Sequence, residues 1–246
     1  WLLRLATGQT QPPPRHPAIW RSPHLTAART GRTGVACLIG TPPPEAALGA
    51  LAEARAWFHA RGCGDVLVWS AEPRPDLALP LAAQGLDPCF EPLWMARPLA
   101  GHLPRTSSVA DVDTSLARPD DLDDLRRSPG IPYVSPDQLA ALAALLGGPT
   151  RQQRVWLLLA RERGATPGPI LGQALVNLCD GPAGRFAGLY NIGVATHARR
   201  RGIGRALTIA ACNLAHDLGA RLVGLNATPD GEPLYRSLGF APIGTG

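Results

Sequence analysis

Short apolar runs alternate with stretches of helical spacing along this chain, and proline and glycine residues separate them. The short runs predict strands and the longer stretches predict helices, because strands are brief and bounded by turn residues while helices repeat every three to four residues. In the N-terminal part the predicted strands are Ala18–Trp20, Leu25–Ala28, Val35–Ile39, Val66–Ser70 and Phe90–Met95, and the predicted helices are Pro42–His59 and Pro75–Gln84.

The same alternation continues to the C-terminus. The predicted strands there are Val112–Leu116, Val155–Ala160, Ile170–Leu178, Ala187–Val194 and Arg221–Ala227, and helices are predicted from Pro119, over Ser135–Leu146 and over Ile203–Leu218. The run between the second and third of these strands is turn-forming, which favours an antiparallel pair. The predicted fold class is therefore α/β, with a mixed sheet.

A glycine-rich, basic loop joins the strand that ends at Val194 to the helix that begins at Ile203. Such a turn leaves backbone N–H groups without intrahelical partners, and the helix dipole adds positive potential at the same place. Glycine permits close approach of a ligand to the main chain, and arginine adds charge-assisted donors. The loop predicts a pyrophosphate site made of Arg199, Arg200, Arg201, Gly202, Ile203, Gly204 and Arg205.

Two other phosphate loops fit this segment less well. A dinucleotide-binding loop needs a third small residue at a fixed spacing and a later carboxylate, whereas Ala206 is one place out and the next strand ends in Asn226. A nucleotide-kinase loop needs a lysine, and the chain has none. A helix start with a basic face and no ligand is the remaining alternative.

The order of strand, Arg-x-x-Gly-x-Gly loop, helix, strand and Leu234–Phe240 resembles the acetyl-CoA-binding core of the GNAT superfamily of N-acetyltransferases. Arg199, Gly202 and Gly204 match the loop, and Tyr235 matches a tyrosine before a Gly-Phe pair. The resemblance begins near Arg118 and implies a GNAT acyl-CoA N-acyltransferase fold.

By this resemblance, the main chain of Ile192, Gly193 and Val194 pairs with the pantetheine arm of the cofactor, as a peptide adds to a strand edge. Asn226 corresponds to a polar position that contacts the cofactor, although a turn-forming asparagine is an equal alternative. Tyr235 is the expected general acid for the departing thiolate, and a core tyrosine with a satisfied hydroxyl is its alternative.

The general base is left open by the sequence. Many GNAT enzymes carry a glutamate on the strand before the phosphate loop, and none lies between Ala187 and Val194. The conceivable substitutes are Tyr190, His197, Asp230 and Glu232.

The N-terminal part repeats the order of the C-terminal elements. Aligning Gly85 with Gly239 places Leu81 opposite Tyr235, and it places Pro42–Pro44 near the position of the phosphate loop. Proline has no backbone N–H, so this copy is not expected to bind a pyrophosphate. We expect an N-terminal partial GNAT-like domain at residues 1–100, a linker at 101–108 and a GNAT domain at 109–246, with chance similarity as the alternative to duplication.

Composition adds a modest positive charge and no sign of a metal site. The formal net charge is +5, and all 24 basic residues are arginines spread along the chain, so nucleic-acid binding is not expected. The five cysteines are widely spaced, which predicts neither a disulfide framework nor a zinc site but small buried side chains. No apolar run has the length of a membrane span, and a cytoplasmic enzyme without membrane partners is expected.

The predicted reaction is transfer of an acetyl group from acetyl-CoA to a primary amine by direct attack in a ternary complex, because no cysteine lies in a nucleophile setting. A non-catalytic acyl-CoA-binding sensor or structural module is the alternative. The acceptor, a small-molecule or peptide amine, is not identified, and the sequence leaves a homodimer open. The sequence also leaves open whether the chain is trimmed at its N-terminus.

Overall fold

A computed structural model gives the structure of the chain. It describes residues 19–30, 33–89, 91, 93–104, 112–134, 139, 142–143, 154–164, 168–181 and 184–245. The chain divides into two compact units, of which the first comprises residues 1–94 with 242–246 and the second residues 95–241.

Four strands and two helices form the first unit. The strands are β1 (Ile19–Arg21), β2 (Leu25–Thr30), β3 (Thr33–Leu38) and β4 (Asp65–Trp69), and the helices are α1 (Pro44–His59) and α2 (Pro75–Ala82). The strands lie in sequence order; β1, β2 and β3 are antiparallel, and β3 and β4 are parallel across α1. The apolar face of α1 is buried in the core of this unit, with Leu51 and Phe58 almost fully covered.

The larger sheet has seven strands, and most of its residues belong to the second unit. The strands are β5 (Leu93–Pro98), β6 (Val112–Leu116), β7 (Val155–Glu162), β8 (Ile170–Gly181), β9 (Gly184–Val194), β10 (Leu222–Ala227) and β11 (Ala241–Thr245). The order is β11-β5-β10-β9-β8-β7-β6. Strands β6 to β9 are antiparallel neighbours, whereas β9 and β10 are parallel across a helix. The sheet is therefore mixed, as predicted.

Three helices accompany this sheet in the described part of the chain: α3 (Asp121–Arg127), α4 (Ile203–Asp217) and α5 (Glu232–Ser237). Helix α4 buries one side against the sheet, including Ile203 and Leu207, and a Cβ placed on Gly172 of β8 would lie 3.0 Å from Leu207. Helix α3 carries Asp121 and Asp124, and both contact the mostly buried guanidinium of Arg161, at 2.7 and 3.3 Å. These ion pairs attach α3 to β7.

Most predicted elements are found within a few residues of their expected limits, and two need comment. The strand predicted at Phe90–Met95 runs from Leu93 to Pro98 in the structure, and Phe90 and Pro92 lie outside the described residues. The helix predicted at Ser135–Leu146 lies almost wholly outside the described residues, as do residues 105–108 of the predicted linker. The domain limits remain a prediction.

Two further observations concern composition. Of the five cysteines, Cys37, Cys179 and Cys212 are buried and Cys63 is half-buried, but Cys89 is exposed, contrary to the expectation that all are buried. Cys89 lies in the irregular segment after α2, where no apolar layer covers it. No helix in the described part of the chain is long and apolar enough to cross a membrane.

Candidate functional site

The loop between β9 and α4 has the backbone geometry of an anion cradle. A single 3₁₀ turn, Thr196–Ala198, precedes it, and both Arg200 (φ 63°) and Gly202 (φ 79°) take left-handed conformations. Helix α4 makes its first backbone bond from Ala206 N–H to Gly202 C=O, at 3.0 Å. The N–H groups that precede Ala206 in the first turn therefore have no hydrogen-bond partner within the helix. Gly202, at the N-cap, has no side chain that could accept a hydrogen bond from them. Such N–H groups favour an anion.

Three of the four arginines of this loop already have defined contacts. The Arg199 side chain donates to the Val194 carbonyl at 3.4 Å, Arg201 pairs with Glu162 at 3.2 Å, and Arg205 donates to the Ser237 hydroxyl at 2.8 Å. Arg199, Arg200 and Arg201 are exposed. These four guanidinium groups, of which the one on Arg201 is paired with Glu162, give positive potential around the first turn of α4, and this potential attracts a polyanion.

Strands β9 and β10 separate beside this loop. Their paired register runs from Phe186↔Leu222 to Leu189↔Leu225, whereas β9 continues to Val194 and β10 to Ala227. The main-chain groups of the last five residues of β9 therefore lie beyond the pairing with β10. A gap that exposes strand N–H and C=O groups can accept an extended, amide-bearing ligand.

A β-bulge lies where the two strands separate. Leu175 of β8 pairs with Tyr190 and Gln173 pairs with Gly193, so one residue of β8 faces two of β9. Asn191, in the bulge, has φ 51°, a left-handed value that asparagine tolerates better than most residues. The bulge redirects the backbone of Ile192, Gly193 and Val194, the residues predicted to contact a pantetheine arm.

The end of β9, the start of α4 and helix α5 meet at one place. A Cβ built on Gly204 would lie 3.5 Å from Leu234 Cδ2 and 3.8 Å from Val194 Cγ2. Tyr235 follows Leu234, so the structure brings the predicted loop, strand end and tyrosine into one neighbourhood. Asn226 lies past the last paired residue of β10, and its Oδ1 is buried without a hydrogen-bond partner among the described residues.

Tyr235 is a buried phenol. Its ring packs edge-on against Phe240, with ring centroids 5.8 Å apart, and its Cε2 lies 2.9 Å from where a Cβ on Gly231 would be. Burial, together with a smaller contribution from the nearby Tyr133, raises the pKa of Tyr235 to about 12. The hydroxyl therefore stays protonated at neutral pH and can act as a donor.

The sequence analysis did not identify the segment Gly130–Tyr133 as part of this neighbourhood. Gly130 C=O accepts from the Thr196 N–H at 3.2 Å, and Pro132 packs so closely on Gly193 that a Cβ there would be 2.6 Å from Pro132 Cγ. Gln173 donates from Nε2 to Pro132 C=O at 2.8 Å. Tyr133 is 46% exposed with φ 64°. In the sequence this segment is recognisable only as a turn-rich run that ends in a tyrosine. Its contact with β9, between Pro132 and Gly193, joins residues about 60 positions apart.

Carboxamides occupy the sheet face opposite α4. Gly172 faces α4, so by strand alternation Gln173 and Asn177 of β8 point to the other side. Both are almost fully buried, and neither Gln173 Oε1 nor the Asn177 amide has a partner in the described residues. Asn226 lies on the same face. Asn177 pairs with Gly188 of β9 and Gly188 pairs with Gly224 of β10, and Asn226 follows Gly224 by two residues, which returns it to the face of Gly224. Buried, unpartnered amides of this kind need a water or a ligand group.

The four residues considered as a base differ in setting. His197 and Asp230 are exposed, and Glu232 pairs with Arg236 of its own helix at 2.7 Å. Tyr190 is half-buried in β9, next to the bulge, and its side chain shares the face of Leu175. Neither of the two carboxylates is buried, and the imidazole is not buried either.

Comparison with known proteins agrees with this geometry. Residues 152–242 match the family model of the acetyltransferase (GNAT) domain. This segment matches the GNAT family. The fold predicted from the loop and the tyrosine is confirmed. The match favours this interpretation of the loop over a dinucleotide-binding or nucleotide-kinase loop. No curated protein sequence matches the chain.

Solved structures place the rest of the chain in the same fold group. The chain is similar to a GCN5-related N-acetyltransferase from Kribbella flavida, at 20% identity and TM-score 0.56, covering 92% of this chain and 86% of that one. It is also similar to a GCN5-related N-acetyltransferase from Sphaerobacter thermophilus, at 19% identity and TM-score 0.60, covering 90% and 74%. At such identities these similarities show the fold, which is a GNAT fold with an additional N-terminal half.

Proposed function

We propose that this protein is an N-acetyltransferase that moves an acetyl group from acetyl-CoA to a primary amine. The observation that carries the proposal is the separation of β9 from β10 after Leu189↔Leu225, next to the unladdered N–H groups at the start of α4. One gap accepts an extended amide chain and the adjoining loop accepts a diphosphate, so the two parts fit two consecutive portions of coenzyme A.

The loop residues divide the binding task by chemistry. N–H groups of Gly202, Ile203 and Gly204 donate to phosphate oxygens, and the arginines Arg199, Arg200, Arg201 and Arg205 supply positive potential around them. Gly204 leaves room because a Cβ there would make only ordinary contacts with Leu234 and Val194, so nothing larger is packed into the cradle. The main chain of Ile192, Gly193 and Val194 pairs with the amides of the pantetheine arm.

Tyr235 serves as the hydrogen donor to the departing sulfur. A free thiol has a pKa of about 8.5, so complete transfer from a phenol of pKa about 12 is uphill, and the hydroxyl acts by donating a hydrogen bond as negative charge grows on sulfur. The balance is simple: a C–N bond forms, a C–S bond breaks, and one proton passes from the amine nitrogen to the thiol. An N–H of β9 stabilises the developing oxygen charge.

The proton on the incoming amine leaves by a route that no single carboxylate dominates. An alkylamine has a pKa near that of lysine, about 10.4, so it must lose a proton before attack. We propose that the neutral fraction of the amine binds, with Tyr190 and the carboxamides Gln173, Asn177 and Asn226 as its polar surroundings. A face of neutral amides favours an uncharged, hydrogen-bonding acceptor over a polycation.

Direct attack is favoured over a covalent acyl-enzyme. Cys212 is buried in α4, and burial raises the pKa of its thiol to about 12, so the nucleophilic thiolate is suppressed. Cys179 is also buried, and Cys89, the exposed cysteine, lies in the first unit. None of these settings activates a thiol.

Release of free thiol from acetyl-CoA, measured against a panel of primary amines, tests the proposed reaction. We expect amine-dependent thiol release that disappears when the amine is omitted and falls in Tyr235→Phe. Binding of acetyl-CoA without thiol release for any amine would instead support a non-catalytic acyl-CoA-binding module.

A further inference from the structure

A cluster of two imidazoles and one carboxylate lies at the C-terminal end of α4, away from the phosphate loop at its N-terminal end. His102, from the segment after β5, places Nε2 2.5 Å from Oδ1 of Asp217, and His216 Nδ1 lies 3.6 Å from the same oxygen. The two imidazole rings pack edge to face, with centroids 4.8 Å apart. One ligand atom from each residue lies within 4.8 Å of the other two.

The backbone around this cluster is held in place. Leu103 N–H donates to Asn213 Oδ1 at 2.7 Å, and Asn213 Nδ2 donates to Leu103 C=O at 3.0 Å. Asn213 lies one turn before His216 and Asp217 on the same helix. This two-bond clamp fixes the residue next to His102 against α4, so the three side chains meet without depending on chance rotamers.

One nitrogen of the cluster is buried and lacks a hydrogen bond. His216 Nδ1 has no partner within hydrogen-bond distance among the described residues, and its approach to Asp217 exceeds that distance. The C-terminus of a helix also favours a cation.

We propose that His102, His216 and Asp217 form a binding site for one Zn²⁺-type transition-metal ion, which nothing in the acetyl-transfer chemistry requires. Zinc binds imidazole nitrogen at about 2.0–2.1 Å and carboxylate oxygen at about 2.0–2.2 Å, so tetrahedral ligand atoms lie about 3.3 Å apart. The observed spacings, from 2.5 Å to at most 4.8 Å, bracket that value, and changes of up to about 1.5 Å in these separations reach it. Water fills the fourth position because His102 and Asp217 are exposed.

Such an ion would fasten the segment around His102 to the last turn of α4, adding a metal link to the Leu103–Asn213 clamp. The proposed role of the ion is this link between the two segments. This proposal stands independently of the proposed acetyl transfer, since the cluster shares no residue with the candidate site.

Calorimetric titration with zinc chloride tests the proposal on the full chain. The parent and every variant carry Cys89→Ser, because an exposed thiol such as that of Cys89 binds zinc on its own and would add a second binding event. We expect one ion per chain for the parent, at least about tenfold weaker binding for Asp217→Asn, and loss of the site in His102→Ala and His216→Ala. His59→Ala, which removes an exposed histidine of α1, is the matched control and should bind as the parent does.

Thermal unfolding gives the second readout. Zinc should raise the Tm of the parent and of His59→Ala, and it should leave the Tm of His102→Ala unchanged. Equal zinc affinity in His102→Ala and the parent, or binding to the parent without one-to-one stoichiometry, would overturn the proposal. The outcome in which the three residues only hydrogen-bond to one another gives no zinc-dependent difference between His102→Ala and His59→Ala, and it also overturns the proposal.

Discussion

The two units of this chain contain the same succession of elements, but only the second has the features of a cofactor site. In the first, β2 and β3 are antiparallel, β3 and β4 are parallel across α1, and α2 follows; in the second, β8, β9, α4, β10 and α5 repeat that arrangement. The turns after the last helices also correspond. Leu86 N–H bonds to Leu81 C=O as Phe240 N–H bonds to Tyr235 C=O, each at 3.0 Å.

The differences are concentrated at the start of the crossover helix. Ala47 N–H bonds to Pro43 C=O as Ala206 N–H bonds to Gly202 C=O, so Pro43, Pro44 and Glu45 correspond to Gly202, Ile203 and Gly204. The first unit thus has two positions without an N–H and a carboxylate where the second has a cradle. Each change opposes anion binding.

The strand pairs differ in the same sense. The β3–β4 register continues to Cys37↔Trp69, one residue before β3 ends, whereas β9 extends five residues past its last pair with β10. A fully paired strand offers no main-chain groups to a ligand. The comparison teaches that shared topology alone does not supply the free N–H groups and the gap on which the proposed site depends. We propose that the first unit is a degenerate copy.

Copying the first unit's residue into the second should have the largest effect. Gly204→Glu reproduces Glu45 in the cradle, and loss of two charge-assisted hydrogen bonds at about 1.5 kcal/mol each corresponds to about 10²-fold weaker CoA binding. Calorimetry measures it. Gly204→Gln has the same size without the charge and should lose less affinity, and Glu45→Gln in the first unit should change nothing. Parent-like affinity in Gly204→Glu would place the cradle elsewhere.

Removal of one hydroxyl tests the second correspondence. Tyr235→Phe should lower kcat by about 10²-fold with CoA affinity retained, because a donor to the leaving sulfur acts only as charge develops. The matched change, Leu81→Ala, should leave kcat unchanged and lower the free energy of unfolding by about 1–2 kcal/mol, as expected for a partly buried leucine. Steady-state kinetics and urea unfolding separate the two; unchanged turnover in Tyr235→Phe refutes the donor role.

The bulge that accompanies the gap should respond to a β-branched residue. Asn191→Val places such a side chain at φ 51°, which is strained, so the bulge should relax and CoA binding should weaken about tenfold. Asn191→Gly tolerates the same backbone angle and serves as the control. If both variants bind CoA equally well, the bulge does not position the strand end.

The smallest effect is expected at the buried cysteines. Cys212→Ala should keep kcat within about twofold, because a suppressed thiolate takes no part in direct attack.

Burial raises the pKa of Cys37 and Cys212 from 9.0 to about 12 in the folded state, so the stability that both thiols contribute is present below pH 9 and lost as the pH rises toward 12. Urea unfolding between pH 8 and 11 should show a shallower decline for Cys212→Ala. A large loss of kcat would indicate an acyl-cysteine.

The sequence predicted what is encoded locally. The loop from Arg199 to Arg205 and the Tyr235 pattern are contiguous, and a glycine before an apolar helical repeat identifies a helix start. Strand and helix limits were also close, because proline and glycine bound them. The contact of Tyr133 with this neighbourhood and the left-handed Asn191 were not predicted, since they arise from packing between distant segments.

The same limit explains why the proposed zinc site was not predicted from the sequence. The spacing of cysteines indicated no metal site, and His102 lies more than a hundred residues before His216 and Asp217. Only the docking of the segment around Leu103 on Asn213 brings these side chains together. A metal site whose ligands are close together in the sequence can be found by inspection. The cluster proposed here becomes visible only in the folded chain.

A crystal structure of the protein with coenzyme A would test the central claim most directly. The account predicts the diphosphate within hydrogen-bond distance of the N–H groups of Gly202 and Gly204, with the pantetheine arm between β9 and β10 beyond Leu189 and Leu225. Coenzyme A bound at another place, with this loop and gap empty, would contradict it.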